Sequence, residues 1–189
     1  MRKLVVFMHV TLDGFIAGPK GEMDWINVED EVFEYAGKQT DLADTALYGR
    51  NTFLMMNGYW PTAANQPNAS KHDIQHSNWY NQVKIVVLSK TLEEKDYPGI
   101  RIVRDNLEIE INKLKQEDGK NILIFGSPTA VHSLMSLNLI DDYWLFVNPI
   151  LIGQGIPMFK DINERINFIL ADSNIFSSGV VCLHYEKTK

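Results

Sequence analysis

Three short stretches carry the clearest chemical potential, and each one ends an apolar run. "LYGRNTF" (47–53) places Gly49, Arg50 and Thr52 at such an end. "VVLSKTL" (86–92) offers Ser89, Lys90 and Thr91, and "IFGSPT" (124–129) offers Gly126, Ser127 and Thr129, followed by Ala130. Glycine, hydroxyl and cation where a strand gives way to a helix form a donor set suited to phosphate. Glycine lets the backbone come close, and the free N–H groups of the first helical turn point at the anion. Plainer accounts exist for most of these residues. Ser127 suits an N-cap and Pro128 a first helical turn, and Ser89–Thr91 could be a strand reaching water. Arg50 could be a solvated cation, although a cation in a first turn opposes the helix macrodipole unless an anion is shared. Gly126 has no such account. Recurrence at three successive strand ends makes a phosphate cradle the stronger reading.

Other residues are weaker candidates. Trp25, Phe53, Met56 and Trp60 could wall a planar ring, although aromatic residues at this spacing more often build core, as expected for Phe53 and Met56. His72 and His76 in "HDIQH" are spaced as a metal pair, but they lack the adjacent glutamate of the zinc-protease motif and lie in a polar stretch, so no metal is expected. "GQG" at 153–155 lacks the third glycine and the strand–helix setting of a dinucleotide fingerprint. No serine sits in a G-x-S-x-G elbow.

The elements that must position these residues follow from periodicity. Apolar runs at 3–10, 45–49, 84–89, 100–103 and 121–126 read as strands. Helical spacing covers 27–40 (Val28, Val32, Phe33, Tyr35, Ala36), 50–56, 106–117 and 128–138. Alternating strands and helices imply right-handed crossovers and a mostly parallel sheet. Residues 142–153 read as a long strand, and 167–187 as two strands joined around Ser177–Gly179, giving an antiparallel C-terminal edge. Residues 61–78 are polar and Pro/Asn-rich and read as a loop. The 189 residues suit one domain, residues 1–189, with 45% hydrophobic and 22% charged content. With a net charge of −6 and scattered Lys and Arg, nucleic acid and anionic membranes are not expected partners. The lone Cys182 excludes an internal disulfide and is expected to be buried. The apolar start is too short for a signal peptide, and no segment approaches the ~18 apolar residues of a membrane span. A cytoplasmic location is expected.

"TLDGFIAGPKGEMDWI", "LYGRNTF", "YWP", "VVLSKT", "IFGSPT" and "NPILIGQGIPMF" occur in an order that resembles the dihydrofolate reductase superfamily. Within it, the chain is most similar to stand-alone proteins resembling the C-terminal reductase domain of the bifunctional riboflavin-biosynthesis deaminase-reductase. The resemblance spans nearly the whole chain. It implies a three-layer α/β fold with a mostly parallel central sheet, NADPH as hydride donor, and a homodimer. By position it implies that Gly49, Arg50 and Thr52 hold cofactor phosphates, that Ser89, Lys90 and Thr91 flank the adenosine 2′-phosphate, and that Gly126, Ser127, Thr129 and Ala130 take the diphosphate. Ile16 and Ala17 would cover the nicotinamide. Asp13 would lie near it and, with Asp30, is a candidate catalytic residue, unless it is an ordinary Asp-Gly turn residue. Asp30 matches the register of a folate reductase's helical carboxylate, although Glu29, Glu31 and Glu34 make a solvated acidic face the competing account. The implied substrate is a small heterocycle, 5-amino-6-(5-phosphoribosylamino)uracil at family level. A folate or pterin reductase and a non-catalytic nucleotide-binding relative are the alternatives. Two departures stand out. The deaminase half with its zinc site is absent, and folate reductases carry two adjacent glycines where this chain has Gly126-Ser127.

Overall fold

The run Leu4–Thr11 is apolar on both faces, which suits a strand buried between two layers. It forms β1, in the middle of an eight-stranded sheet. The computed structural model describes residues 1–27, 29–162 and 164–188. After β1 the chain forms β2 (Phe15–Ala17), α1 (Asp30–Asp41), β3 (Ala43–Gly49), α2 (Arg50–Ala63), α3 (Lys71–Tyr80), β4 (Lys84–Leu88), β5 (Arg101–Val103), α4 (Leu107–Gln116), β6 (Asn121–Phe125) and α5 (Pro128–Ser136). It closes with β7 (Asp142–Asn148), β8 (Ile156–Pro157), β9 (Phe168–Ile175) and β10 (Val181–Lys187).

The sheet order is β5-β4-β3-β6-β1-β7-β10-β9, and β2 pairs with β8 in a small second sheet. The strands from β5 to β7 are parallel, and β10 and β9 add the antiparallel edge that the C-terminal sequence predicts. Leu4, Val6, Met8 and Val10 of β1 face Ile111 and Leu114 of α4 and Val131 and Leu134 of α5. On the opposite face, Val5 and Phe7 cluster with Val32 of α1, while Phe53 of α2 and Tyr80 of α3 pack over β3 and β4. The result is three layers, α/β/α.

From β3 the chain steps outward to β4 and β5, then returns to insert β6 beside β3 and continues past β1 to β7. The helices that follow β3 and β6 therefore leave on opposite faces. The β3/β6 boundary is a topological switch point, the place where open α/β sheets collect ligands at the carboxyl ends of their strands.

Two sequence expectations change. Residues 61–78 are not a loop: α2 runs on to Ala63 with Pro61 inside it, and α3 follows. Polarity concealed α3, yet its start is a capping box, with Asp73 N–H donating to Ser70 Oγ at 3.1 Å and Ser70 N–H to Asp73 Oδ2 at 2.9 Å. Pro61 is tolerated near the helix end, where Ser77 Oγ donates to the Trp60 carbonyl at 2.7 Å and Asn81 Nδ2 to that of Pro61 at 3.2 Å. The strand expected over 142–153 stops at Asn148, because Pro149 ends the ladder. Helix α1 begins at Asp30, and Val28 lies outside the described residues.

At the edge of the sheet away from the strand ends, buried Arg2 staples β1 to β3. Its guanidinium donates to Asp44 and Thr45, and its Nε to the Lys120 carbonyl at 2.6 Å. Burial alone would raise the Asp44 pKa, but the Lys120 N–H, the Thr45 hydroxyl and the Arg2 guanidinium outweigh it and hold the carboxyl below its ordinary value. Asp44→Ala leaves the buried cation with only the more distant Glu117 carboxylate, at 3.9 Å, and is expected to cost about 3 kcal/mol in urea denaturation at neutral pH. The folded pKa is depressed, so the wild-type contribution is present above the unfolded value of 3.8 and is lost as acid carries the pH down through the folded one. The difference between variant and wild type therefore shrinks in acid.

Candidate functional site

At the switch point the ends of β3 and β6 lock into each other. Gly49 N–H donates to Ser127 Oγ at 2.9 Å, and Ser127 Oγ donates in turn to the Phe125 carbonyl at 3.2 Å. A Cβ on Gly49 would lie 3.6 Å from the Cβ atoms of both Ser127 and Ala130, and one on Gly126 would lie 3.5 Å from Thr52 Cγ2. The two loops expected to hold phosphates are thus one structure. Gly126 and Ser127 adopt successive left-handed conformations, with φ of 55° and 60°. Serine therefore takes the backbone shape a second glycine would adopt more easily, at about 1–2 kcal/mol. Ser127 precedes α5 as expected, but its hydroxyl does not cap the helix: it serves Gly49 instead.

Neither α2 nor α5 has a side-chain cap, so the first-turn N–H groups of Arg50, Asn51 and Thr52, and of Thr129 and Ala130, remain available. The first turns also differ from the rest. Helices α1, α3 and α4 carry their own acids there, Asp30 and Glu31, Asp73, and Glu108 and Glu110, whereas α2 and α5 carry none. The two helix starts that flank the crevice are those whose positive ends lack an internal anion. Arg50 is exposed there, with Asn51 Oδ1 at 3.4 Å as its hydrogen-bond partner.

The third strand end is a built turn. Ser89 is buried, and its Oγ accepts from the N–H groups of Thr91 at 3.2 Å and Leu92 at 3.1 Å. Its hydroxyl shapes the loop, while Lys90 and Thr91 are exposed. Arg104, just past β5, wraps the turn, donating to the Lys90 and Leu92 carbonyls and pairing with Glu93 at 3.6 Å. Sequence reading missed this residue; its signal was a second arginine directly after the run "IRIV".

Ile16 and Ala17 are buried in β2, and β8 pins them through the pairs Phe15↔Pro157 and Ala17↔Ile156. Asp13 holds the same region from outside. Its carboxylate accepts from the Thr11 hydroxyl and from the N–H groups of Ile152 at 3.1 Å and Gly153 at 2.8 Å. The Thr11 hydroxyl is the strongest of the contacts that depress its pKa, so it is ionised at neutral pH. This geometry makes Asp13 a clamp on the loop and a poor proton donor. Gly155 of "GQG" is required because a Cβ would run into the Ala17 carbonyl.

On the α1–α3 face an aromatic wall stands beside the crevice. Trp60 lies 4.1 Å from the His76 ring and 5.5 Å edge-on to His72, which stacks on Phe33 at 3.7 Å. His76 also meets Phe125, the residue before Gly126, at 5.9 Å, and Phe125 meets Phe7 at 5.4 Å. His72 and His76, expected in a solvated loop, are therefore packed among rings, and burial pushes the His76 pKa down to about 3. Phe53 is not part of a substrate wall: it is fully buried among Tyr48, Tyr80 and Val87, with Tyr97 edge-on at 5.1 Å. Trp25 is half-buried before α1, and its Nε1 finds no partner among the described residues. Asp30 is exposed on the first turn of α1. It shares a side with Glu34, whose carboxylate meets Lys71 of α3 at 2.6 Å. His9, which sequence reading did not single out as a site residue, lies on the same face of β1 as Val5 and Phe7, with its ring stacked on Phe146 at 5.0 Å.

Two other clusters lie away from the strand ends. A cavity of about 470 Å³ opens beyond the far end of α5, lined by Met135, Asn138, Arg165 and Lys187 among others. Asp142, His184 and Glu186 come together as metal ligands might, but Lys3 Nζ lies 2.9 Å from both carboxylates and supplies the positive charge itself.

Comparison with known proteins identifies the family and the fold. The profile of the RibD C-terminal domain matches residues 2–182. A Bacillus subtilis protein known as YyaP, itself uncharacterized, is 35% identical over 190 residues, covering 98% of this chain and 95% of its own. The deaminase/5-amino-6-(5-phosphoribosylamino)uracil reductase of Thermotoga maritima superposes with a TM-score of 0.69 at 15% identity, covering 99% of this chain and 57% of that longer one. Dihydrofolate reductase from Enterococcus faecalis, solved with NADP(H) and RAB-propyl, superposes at 0.63 with 13% identity, over 99% and 97% of the two chains. The fold is dihydrofolate-reductase-like, as the sequence resemblance implied.

Proposed function

The chain belongs to the RibD C-terminal domain family, and from that premise we propose that it is an NADPH-dependent reductase of a small planar nitrogen heterocycle. The observation that carries the reading is the crevice between β3 and β6. There two uncapped helix starts without acids of their own converge on a joint locked by Gly49 N–H and Ser127 Oγ. These donors fit a dinucleotide diphosphate. Arg50 and Lys90 fit the 2′-phosphate, with Arg104 shaping the loop that presents Lys90. When bound, NADPH supplies a hydride, and the protein has to contribute orientation, exclusion of water and a path for one proton. The main chain of Ile16 and Ala17, pinned by β8 and the Asp13 clamp, covers the reaction side. Phe7, Phe125 and Trp60 provide apolar walls for a flat ring, with Trp25 at the entrance to α1.

The family-level substrate is 5-amino-6-(5-phosphoribosylamino)uracil, with a pterin or dihydrofolate as the enzymatic alternative. The position of Asp30 on the α3 side of α1 favours the pyrimidine over a folate bound through a helical carboxylate. The described helices include none long and apolar enough to cross a membrane, and we place this protein in the cytoplasm. We also place it in a homodimer, which would cover the exposed Ile169, Leu170 and Ile175 on edge strand β9. The test of the reading is NADPH oxidation by the purified protein with the phosphoribosylaminopyrimidine and with dihydrofolate. Turnover of the pyrimidine, with a lower rate in Asp13→Asn as its loop loosens, is the expected result. NADPH binding without turnover of either compound would identify a non-catalytic relative.

A further inference from the structure

Near the end of β1, His9 is a polar group held in a single protonation state, with one ring nitrogen aimed away from its only hydrogen-bond partner among the described residues, Asn148. Asn148, at the end of β7, is 1% exposed, and four contacts fix its amide. Its Oδ1 accepts from Asn27 N–H at 3.1 Å, and its Nδ2 donates to the carbonyls of Phe146 at 2.9 Å and Val10 at 3.4 Å. Nδ2 carries two hydrogens: one serves the Phe146 carbonyl, and the other is shared between the distant Val10 carbonyl and His9 Nδ1, at 3.3 Å. An amide nitrogen only donates, so Nδ1 is the acceptor and the imidazole proton resides on Nε2. Burial pushes the His9 pKa down to about 4, so the ring is neutral at physiological pH.

The Nε2–H group has no acceptor among the described residues. Across from His9 on one side lies Phe146, its register partner in β7. On the other side β6 ends at Phe125, paired with Phe7, and the chain turns away through Gly126 and Ser127. His9 thus stands where β1 overhangs the locked joint, on the face lined by Phe7 and Phe125.

We propose that His9 determines substrate specificity, donating a hydrogen bond from Nε2–H to an acceptor atom, a ring carbonyl or an imine nitrogen, of the planar heterocycle. This rests on the reductase reading and adds to it a chemical requirement on the substrate. The bond orients and polarises the ring; no proton leaves His9, because a neutral imidazole is a donor of hydrogen bonds and a very weak acid. A ring lacking an acceptor at that position would strand the N–H and be rejected.

The test uses two variants and three readouts. His9→Phe keeps the ring on Phe146 without the N–H, and His9→Gln keeps a donor. Nitrogen-15 NMR of the imidazoles, assigned with His9→Gln, is expected to find the neutral Nε2–H form at neutral pH, with its signal moving when 5-amino-6-(5-phosphoribosylamino)uracil is added. NADPH affinity should stay within about twofold in both variants. Turnover of the pyrimidine should lose about 10- to 30-fold in kcat/KM in His9→Phe, as for one buried hydrogen bond, and regain most of it in His9→Gln. An Nδ1–H tautomer overturns the proposal. So does an unchanged kcat/KM in His9→Phe, or a His9 signal insensitive to both the pyrimidine and dihydrofolate in protein that binds NADPH. Failure of the wild type to bind NADPH strikes the reductase reading itself, and this proposal falls with it.

Discussion

Gly126→Val is expected to weaken NADPH binding about 100-fold in a protein that still folds. Gly126 has a φ of 55°, a conformation that costs an ordinary L residue about 1–2 kcal/mol and a β-branched one more. A Cβ would meet Thr52 Cγ2 at only an ordinary contact distance of 3.5 Å, so the strain lies in the backbone turn itself. Relieving it would move Ser127 off Gly49 and splay the two helix starts apart. Gly49→Ala separates strain from ligand contact. Gly49 has an unstrained φ of −78°, and its added methyl would sit 3.6 Å from Ser127 and Ala130. Urea denaturation of this variant should agree with wild type to within about 0.5 kcal/mol. Its NADPH affinity should still fall, by about tenfold, because the methyl enters the space where the diphosphate approaches the joint. Unchanged affinity in Gly49→Ala would mean that the dinucleotide does not rest on this pair of loops.

Removing both cations, Arg50→Ala with Lys90→Ala, is expected to erase the preference for NADPH over NADH. Charge-assisted hydrogen bonds contribute about 1.5–3 kcal/mol each, so the pair should cost NADPH about 100-fold or more and NADH less than about threefold. The structure makes the two residues good subjects. Both are exposed and sit outside the core, and Arg50 disfavours the start of α2 in the absence of an anion. The double variant should therefore be no less stable than wild type. Arg104→Ala would act differently, since Arg104 is spent on the Lys90 and Leu92 carbonyls and on Glu93. It should loosen the loop and weaken NADPH through Lys90's position. Equal losses for NADH and NADPH in the double variant would remove the 2′-phosphate from this end of the crevice.

Much of this arrangement is legible in the sequence because it depends on local rules. Apolar runs broken by glycine mark the ends of β3 and β6, and the C-terminal hairpin follows from alternation around Ser177–Gly179. Cys182 is buried, as its apolar run implies. Features that depend on distant partners are not legible. Ser127 carries the signature of an N-cap, and only the proximity of Gly49, 78 residues earlier, diverts its hydroxyl. Phe53 shares its composition and spacing with a substrate wall, and packing alone places it in the core. Helix α3 hides its aromatic face within a polar stretch, although Ser70 and Asp73 announce its start. The strands β2 and β8 are too short for any periodicity to register. His9 looks like an interruption in an apolar strand until Asn148, from the other end of the chain, fixes its tautomer.

The most direct test of the cradle is titration of the purified protein with NADPH and, separately, with NADH, following quenching of tryptophan fluorescence. Saturable quenching by NADPH, with NADH binding at least about tenfold more weakly, is the expected result. Absence of saturable binding by either nucleotide would contradict it, and the locked joint at Gly49 and Ser127 would then be a packing device alone.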